Sequence, residues 1–152
     1  MEFKVSEITA EETHPLRSKV LRKGGEIIPR EWKQDQWPGC FHLGAFHKDK
    51  MVGILTAFPN PFSGMQASFP YQFRGMAVEP NYQKMGVGKA LLEGLEDFLS
   101  NRNADFLWCN ARSKSLDFYL NQGYKKHGLE FIIEGIGPHY KCYKFLNETE
   151  DF

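Results

Sequence analysis

The chain has 152 residues, which suits one domain over 1–152 around a single core, and its 41% hydrophobic and 25% charged residues describe a globular protein. Lys plus Arg equals Asp plus Glu at 19 each, so no net charge draws it to a nucleic-acid backbone. No run of about 18 apolar residues is present to span a membrane, and the opening MEFKVSEITAEE lacks the apolar core of a signal peptide. Three cysteines (Cys40, Cys109, Cys142) without a CxxC pair fit free thiols in a reducing cytoplasm, with no metal site expected.

Phe3 to Ile8 alternates apolar and polar residues and reads as a strand. Thr13 to Arg22 reads as a helix: Thr13 is placed to cap, Leu16, Val20 and Leu21 share a face, and Gly24-Gly25 ends the run. Arg17 and Arg22 on this helix face either solvent or an anionic substrate. Glu26 to Gly39 has no period and reads as a loop or short helix. Its Trp32 and Trp37 either wall a binding site or cap the core. Phe41–Phe46 and Met51–Ala57 form a hairpin, and Pro59 to Pro70 is a loop. Tyr71–Val78 is a further strand. A helix follows, with Val87, Leu91, Leu95, Phe98 and Leu99 at intervals of three and four. Asp105–Cys109 reads as a buried parallel strand, in which Cys109 is inert packing. SKSLDFYLNQGY is a short helix, capped by Ser113 or Ser115 and stopped by Gly123. FIIEGIGPHYKCYKF closes the chain as two strands about a Gly-Pro turn.

The glycines at the entrance to the long helix invite a comparison of phosphate-binding patterns. A P-loop requires GxxxxGK and then Ser or Thr, but Gln83 stands at the first glycine and Ala90 at the hydroxyl. A dinucleotide fingerprint requires GxGxxG directly after a strand, but Leu91 stands at the third glycine and a polar loop intervenes. The remaining pattern is Gln83-x-x-Gly86-x-Gly88, after Val78 and Pro80 and before an apolar helix. It resembles motif A (Q/R-x-x-G-x-G/A) of the GNAT superfamily of acetyl-CoA-dependent N-acetyltransferases. FYLNQGY (Phe118 to Tyr124) is similar to that family's FYxxxGF. LRSKVLR, FHLGAF and EGIGPHY look like a small bacterial branch with an LRxxVLR helix and a GIPH-like turn, here carrying an extra glycine.

The resemblance implies an α/β (α+β) fold: a central mixed, mostly antiparallel sheet with a splayed parallel strand pair, flanked by helices. It implies acetyl-CoA as co-substrate, with the pantetheine arm against Met76, Ala77 and Val78. The pyrophosphate would lie on the amides of Lys84, Met85, Gly86, Val87, Gly88 and Lys89, following Gln83, where a helix N-terminus favours anions. Asn110 would bond the cofactor arm, and a backbone N–H of Val78 or Met76 would hold the oxyanion. Tyr119 would be the general acid, with core packing as its alternative. An ammonium with a pKa of about 10 must lose a proton before it attacks. The strand before motif A carries no carboxylate, so the candidates for base are His139, Glu134, Glu79, His42 or a water chain. The expected function is transfer of acetyl to a primary amine of a small molecule or protein. The alternatives are a non-catalytic acyl-CoA-binding module and an enzyme using a longer acyl-CoA. Dimerisation is common in such folds, though no residue argues for it here. Partners beyond the acetyl donor and an amine acceptor, whether nucleic acid or membrane, are not expected.

Overall fold

The computed structural model describes residues 1–23, 25–27 and 30–146. β1 (Lys4–Ile8) leads into α1 (Ala10–Val20), which starts before Thr13. The cap is Thr9. Its hydroxyl accepts from the Glu12 N–H (3.2 Å), and the Glu12 carboxylate accepts from the Thr9 N–H (2.9 Å), a reciprocal box that satisfies two otherwise orphaned donors. Thr13 is buried and donates to the Ala10 carbonyl. α1 ends at Val20 with Leu21 as its C-cap, before the expected end at Arg22, and β2 (Arg22–Lys23) and β3 (Glu26–Ile27) make a short hairpin in place of a helix end and a loop or short helix; Gly24 lies outside the described residues. A 3-10 turn at Lys33–Gln36 precedes β4 (Phe41–His47), which forms the expected hairpin with β5 (Lys50–Pro59). β6 (Pro70–Val78), α2 (Val87–Ser100), β7 (Phe106–Arg112) and α3 (Leu116–Asn121) follow. β8 (Lys125–Ile133) and β9 (Gly137–Phe145) close the fold. Their turn lies at Glu134–Ile136, and Pro138 sits within β9 instead of in the turn.

Seven strands form one sheet in the order β1-β4-β5-β6-β7-β9-β8. The β6–β7 pair is parallel and the other pairings are antiparallel, as expected of the fold. α2 covers one face: Val87, Leu91, Leu92, Leu95 and Leu99 are buried with Leu43, Leu55, Phe73 and Leu107. α1 covers part of the other face, where Leu16 packs with Ile8, Ile54 and Ala77. Further along that second face, Phe62 packs on Phe106 and Trp108.

One irregularity positions the site. Ile54 lies opposite Ala77 and Thr56 opposite Arg74, so Leu55 faces two residues, Gly75 and Met76. This bulge resets the alternation of side chains along β6. Phe73 and Met76 therefore both reach the α2 face, while Arg74 and Ala77 both reach the α1 face. Gly75 takes the bulge's left-handed conformation (φ +68°).

Candidate active site

The parallel pair stops early. Tyr71 and Gln72 still pair with Leu107 and Trp108, but beyond Gln72 and Trp108 the two strands part. The backbone edges of residues 73–78 and 109–112 then face each other across a wedge without pairing. The wedge opens into a cleft of about 440 Å³, within the usual range for a small-molecule site. It runs through the sheet and so has two differently furnished ends.

On the α2 face the cleft is lined by Phe73, Met76, Cys109 and Tyr119. The Tyr119 ring is fixed edge-on to Phe118 (5.1 Å) and Tyr124 (6.0 Å) and lies against Phe73 (6.1 Å). Burial, and then the neighbouring Cys109 and Cys142, push its hydroxyl well above the ordinary tyrosine value, so it stays protonated. Burial likewise raises the Cys109 thiol well above its ordinary value, in keeping with inert packing.

Beyond this end stands the α2 N-terminus. Gly86 is its cap in the left-handed conformation (φ +94°), and Lys84 is also left-handed (φ +63°). The first helical bond runs from the Ala90 N–H to the Gly86 carbonyl, and no side chain caps the end. Gln83, Lys84, Met85, Gly86 and Lys89 are exposed, and Val87 is buried. The two glycines do different work. A Cβ on Gly86 would meet nothing within 4 Å. One on Gly88 would come within 3.2 Å of Phe118 and 3.3 Å of the Met76 sulfur, so Gly88 permits close packing of α2 against β6 and α3. Gln83 turns back and donates to the Val78 carbonyl (3.3 Å).

On the α1 face the lining includes Trp32, Arg74, Asn110, Arg112 and His139. Trp32, from the segment without period, lies over the bulge: a Cβ on Gly75 would fall 2.3 Å from its ring. Arg17 and Arg74 stack on that ring at 3.7 and 4.3 Å. Arg17 does not face solvent, contrary to one expectation. It is fully buried and donates to both carboxylate oxygens of Asp35 (2.8 and 2.9 Å), to the Thr56 hydroxyl (2.8 Å) and to the Arg30 carbonyl (2.7 Å). Asp35 in turn accepts from the Trp32 N–H (3.2 Å). The LRxxVLR arginine thus fastens the aromatic wall to the sheet. Arg22's side chain lies outside the described residues. Trp37 caps the core, edge-on to Phe58 (5.2 Å), so the two tryptophans divide the two expected roles between them.

Replacing Gly75 with Ala forces both a left-handed alanine, at about 1–2 kcal/mol, and displacement of Trp32. The expected result is a lower denaturation midpoint and altered tryptophan fluorescence, checked against the unmodified protein.

The candidate bases separate clearly. His139 is buried in the cleft wall; its Nδ1 donates to the Gly137 carbonyl (2.8 Å), which leaves Nε2 as the acceptor in the neutral ring. Glu134 is exposed on the β8–β9 turn, outside the lining. Glu79 is ion-paired with Lys19. His42 is buried beside Thr56 (2.8 Å), away from the cleft. Ala77 faces Ile54 and Leu16 in the α1 core, so only its backbone borders the wedge. The Asn110 side-chain oxygen accepts from Lys141 (3.0 Å). Asp35, Cys40 and His42 come within 4.8 Å of one another, but both oxygens of Asp35 are taken by Arg17 and burial raises the Cys40 thiol to about 11, a poor donor set for a cation.

A splayed parallel pair leading to an uncapped helix N-terminus is the arrangement that the sequence resemblance implied for an α/β fold. The sequence matches the model of the acetyltransferase (GNAT) family over residues 7–124. The uncharacterized N-acetyltransferase YitI of Bacillus subtilis (strain 168) is 32% identical over 147 residues, spanning 97% of this chain and 99% of YitI. The solved aminoglycoside 6'-N-acetyltransferase complexed with coenzyme A superposes with a TM-score of 0.71 at 16% identity, covering 97% of this chain and 99% of that one. The ribosomal-protein-S18-alanine N-acetyltransferase of Escherichia coli gives 0.73 at 16% identity, with 99% of each chain covered. The chain belongs to the GNAT acetyltransferase family, and the enzyme class read from the sequence, N-acetyltransferase, agrees with it. No helix among the described residues is long and apolar enough to cross a membrane.

Proposed function

We propose that the protein transfers acetyl from acetyl-CoA directly to a primary amine. The observation that carries this reading is the wedge itself: unpaired backbone on both strands, a proton donor at one end and an acceptor at the other. The pyrophosphate would lie on the amides from Lys84 to Lys89, with open space over Gly86. The arm would follow Met76, Ala77 and Val78 and meet Asn110 at its wedge-side backbone, since the side chain lies on the α1 face with Lys141. The neutral amine attacks the thioester carbonyl from the α1 face and a C–N bond forms. A backbone N–H of Met76 or Val78 stabilises the oxyanion. The C–S bond then breaks and Tyr119 protonates the departing thiolate. His139 Nε2, directly or through water, takes the proton that the amine loses. This assigns the base to a side chain outside the strand before motif A, where no carboxylate stands.

Calorimetric titration with acetyl-CoA tests the donor site. A carboxylate in the variant Gly86→Asp would project into the space assigned to the pyrophosphate, and the expected loss of affinity is at least about tenfold, or 1.4 kcal/mol. A folded variant that keeps the unmodified affinity overturns the placement. A folded parent protein that binds no acetyl-CoA overturns the whole reading.

A further inference from the structure

The cleft's α1 face has a charge pattern that the transfer reaction does not require. Arg74 stands on β6 and Arg112 on β7, on opposite walls of the wedge, and both line the cleft. Among the described residues, no Asp or Glu lines it. Among the described residues Arg74 donates no hydrogen bond and forms no ion pair; its one specific contact is the Trp32 ring. Arg112 likewise has no hydrogen-bond or ion-pair partner among them. A guanidinium carries five donors in a rigid fork. The neighbouring Arg17 shows what this protein does with one that serves structure: it gives Asp35 a bidentate pair and adds Thr56 and Arg30. Arg74, stacked on the same ring, is left without such partners. Burial, and then the positive Arg17, lower its pKa, so an anion here would relieve an existing electrostatic cost.

The position of the pair relative to the donor matters, because acetyl-CoA is itself an anion. The α2 N-terminus and Tyr119 lie on the opposite face of the sheet, and Lys84 and Lys89 are at that end. The bulge at Gly75–Met76 sends Met76 toward α2 and Arg74 toward Trp32, which separates the two sites. Arg74 therefore belongs to the acceptor, and Arg112, near enough for its charge to act on Tyr119, stands where the two sites meet.

Resting on the acetyltransferase reading above, we infer that the acceptor is a primary amine that also carries an acidic group, a carboxylate or phosphate, held by Arg74 with Arg112 opposite. Trp32 keeps the Arg74 plane fixed, which favours a planar bidentate partner. Polycationic amines are disfavoured by the same two charges.

The test compares matched acceptors with the purified full chain. β-Alanine is set against β-alaninamide, and phosphoethanolamine against ethanolamine, with CoA release followed by a thiol reagent. The same ligands are titrated by calorimetry into the protein with and without CoA, so a reading exists even without turnover or CoA binding. The expected result is at least tenfold higher kcat/KM, or tighter binding, for one acidic member over its neutral partner; which pair responds separates carboxylate from phosphate. In Arg74→Gln that preference falls to within about threefold, chiefly through KM. Acetyl-CoA affinity is unchanged, and Arg74→Lys keeps part of the preference. Equal handling of acidic and neutral partners overturns the inference while leaving the acetyltransferase reading intact. So does a fall in acetyl-CoA affinity in Arg74→Gln, which would assign the arginine to the donor. Absence of acetyl-CoA binding overturns the acetyltransferase reading, and the direct titrations then decide whether the arginines still select acids.

Discussion

Replacing Tyr119 with Phe is expected to lower kcat about a hundredfold while leaving acetyl-CoA affinity within about twofold. Phe retains the ring contacts with Phe73, Phe118 and Tyr124, so packing is kept and only the hydroxyl is lost. A positioned acid contributes about 10²–10⁴ in rate, and a factor of 100 corresponds to about 2.7 kcal/mol of barrier. The phenol suits the role because burial holds it protonated throughout the neutral range and because it lines the cleft on the α2 face. The measurement is steady-state kinetics beside calorimetry on the same preparation. A variant with kcat within threefold of the parent would show that water or another group protonates the thiolate, and that Tyr119 serves only as part of the aromatic cluster.

The second large effect is on stability. Asp35→Ala strands the fully buried Arg17 charge, since the carboxylate accounts for two of its four hydrogen bonds. Removing one partner of a buried pair costs about 3–5 kcal/mol, a large share of a typical total of about 5–15 kcal/mol. Urea denaturation at neutral pH should show that loss. The loosened Trp32 should also report a change in fluorescence, because its N–H loses Asp35. A double variant, Arg17→Met with Asp35→Leu, should recover much of the stability, because no charge is then left buried.

Acid dissects the same cluster. Burial raises the pKa of Asp35, but the Arg17 hydrogen bonds, the Trp32 N–H and the charges of Arg17 and His42 outweigh it, and the net direction is down. A carboxylate depressed on folding contributes stability that is complete above its unfolded pKa of about 4 and is lost as pH falls through the folded value. His42 is depressed chiefly by burial, against the pull of Asp35. The unfolded chain therefore takes up that proton first, and stability begins to fall below about pH 6.5. Two steps of acid destabilisation are expected, and Asp35→Ala should abolish the lower one. Stability independent of pH between 7 and 5 would contradict the burial of a neutral His42.

Much of the fold was legible in the chain itself. Apolar residues at intervals of three and four marked α2, alternation marked β1, and the nearly all-apolar run at Asp105–Cys109 marked a buried parallel strand, because each of these patterns follows from local geometry and from which faces are buried. Gln83-x-x-Gly86-x-Gly88 and FYLNQGY were legible for the same reason, as their spacing is tied to one helix entrance and one short helix. What escaped depends on distant partners. One exception is local: Thr9-x-x-Glu12 carries the capping-box pattern in the sequence, and the helix starts there and not at Thr13. Arg17 read as a surface residue because its partners Asp35 and Thr56 are 18 and 39 positions away. The bulge at Gly75 left only one mark, an Arg-Gly pair inside an apolar strand, and its meaning came from a tryptophan in a stretch with no period at all. Sequence by itself determined most of the elements, their order and the family, because those rest on local pattern, while the β2–β3 hairpin and the early start of β8 at Lys125 did not show in it. Only the tertiary structure decided which charges are buried, which glycine serves packing and which leaves open space, and that two guanidiniums without ion-pair partners among the described residues face one cleft. Each of those is settled by contacts between segments far apart in the chain.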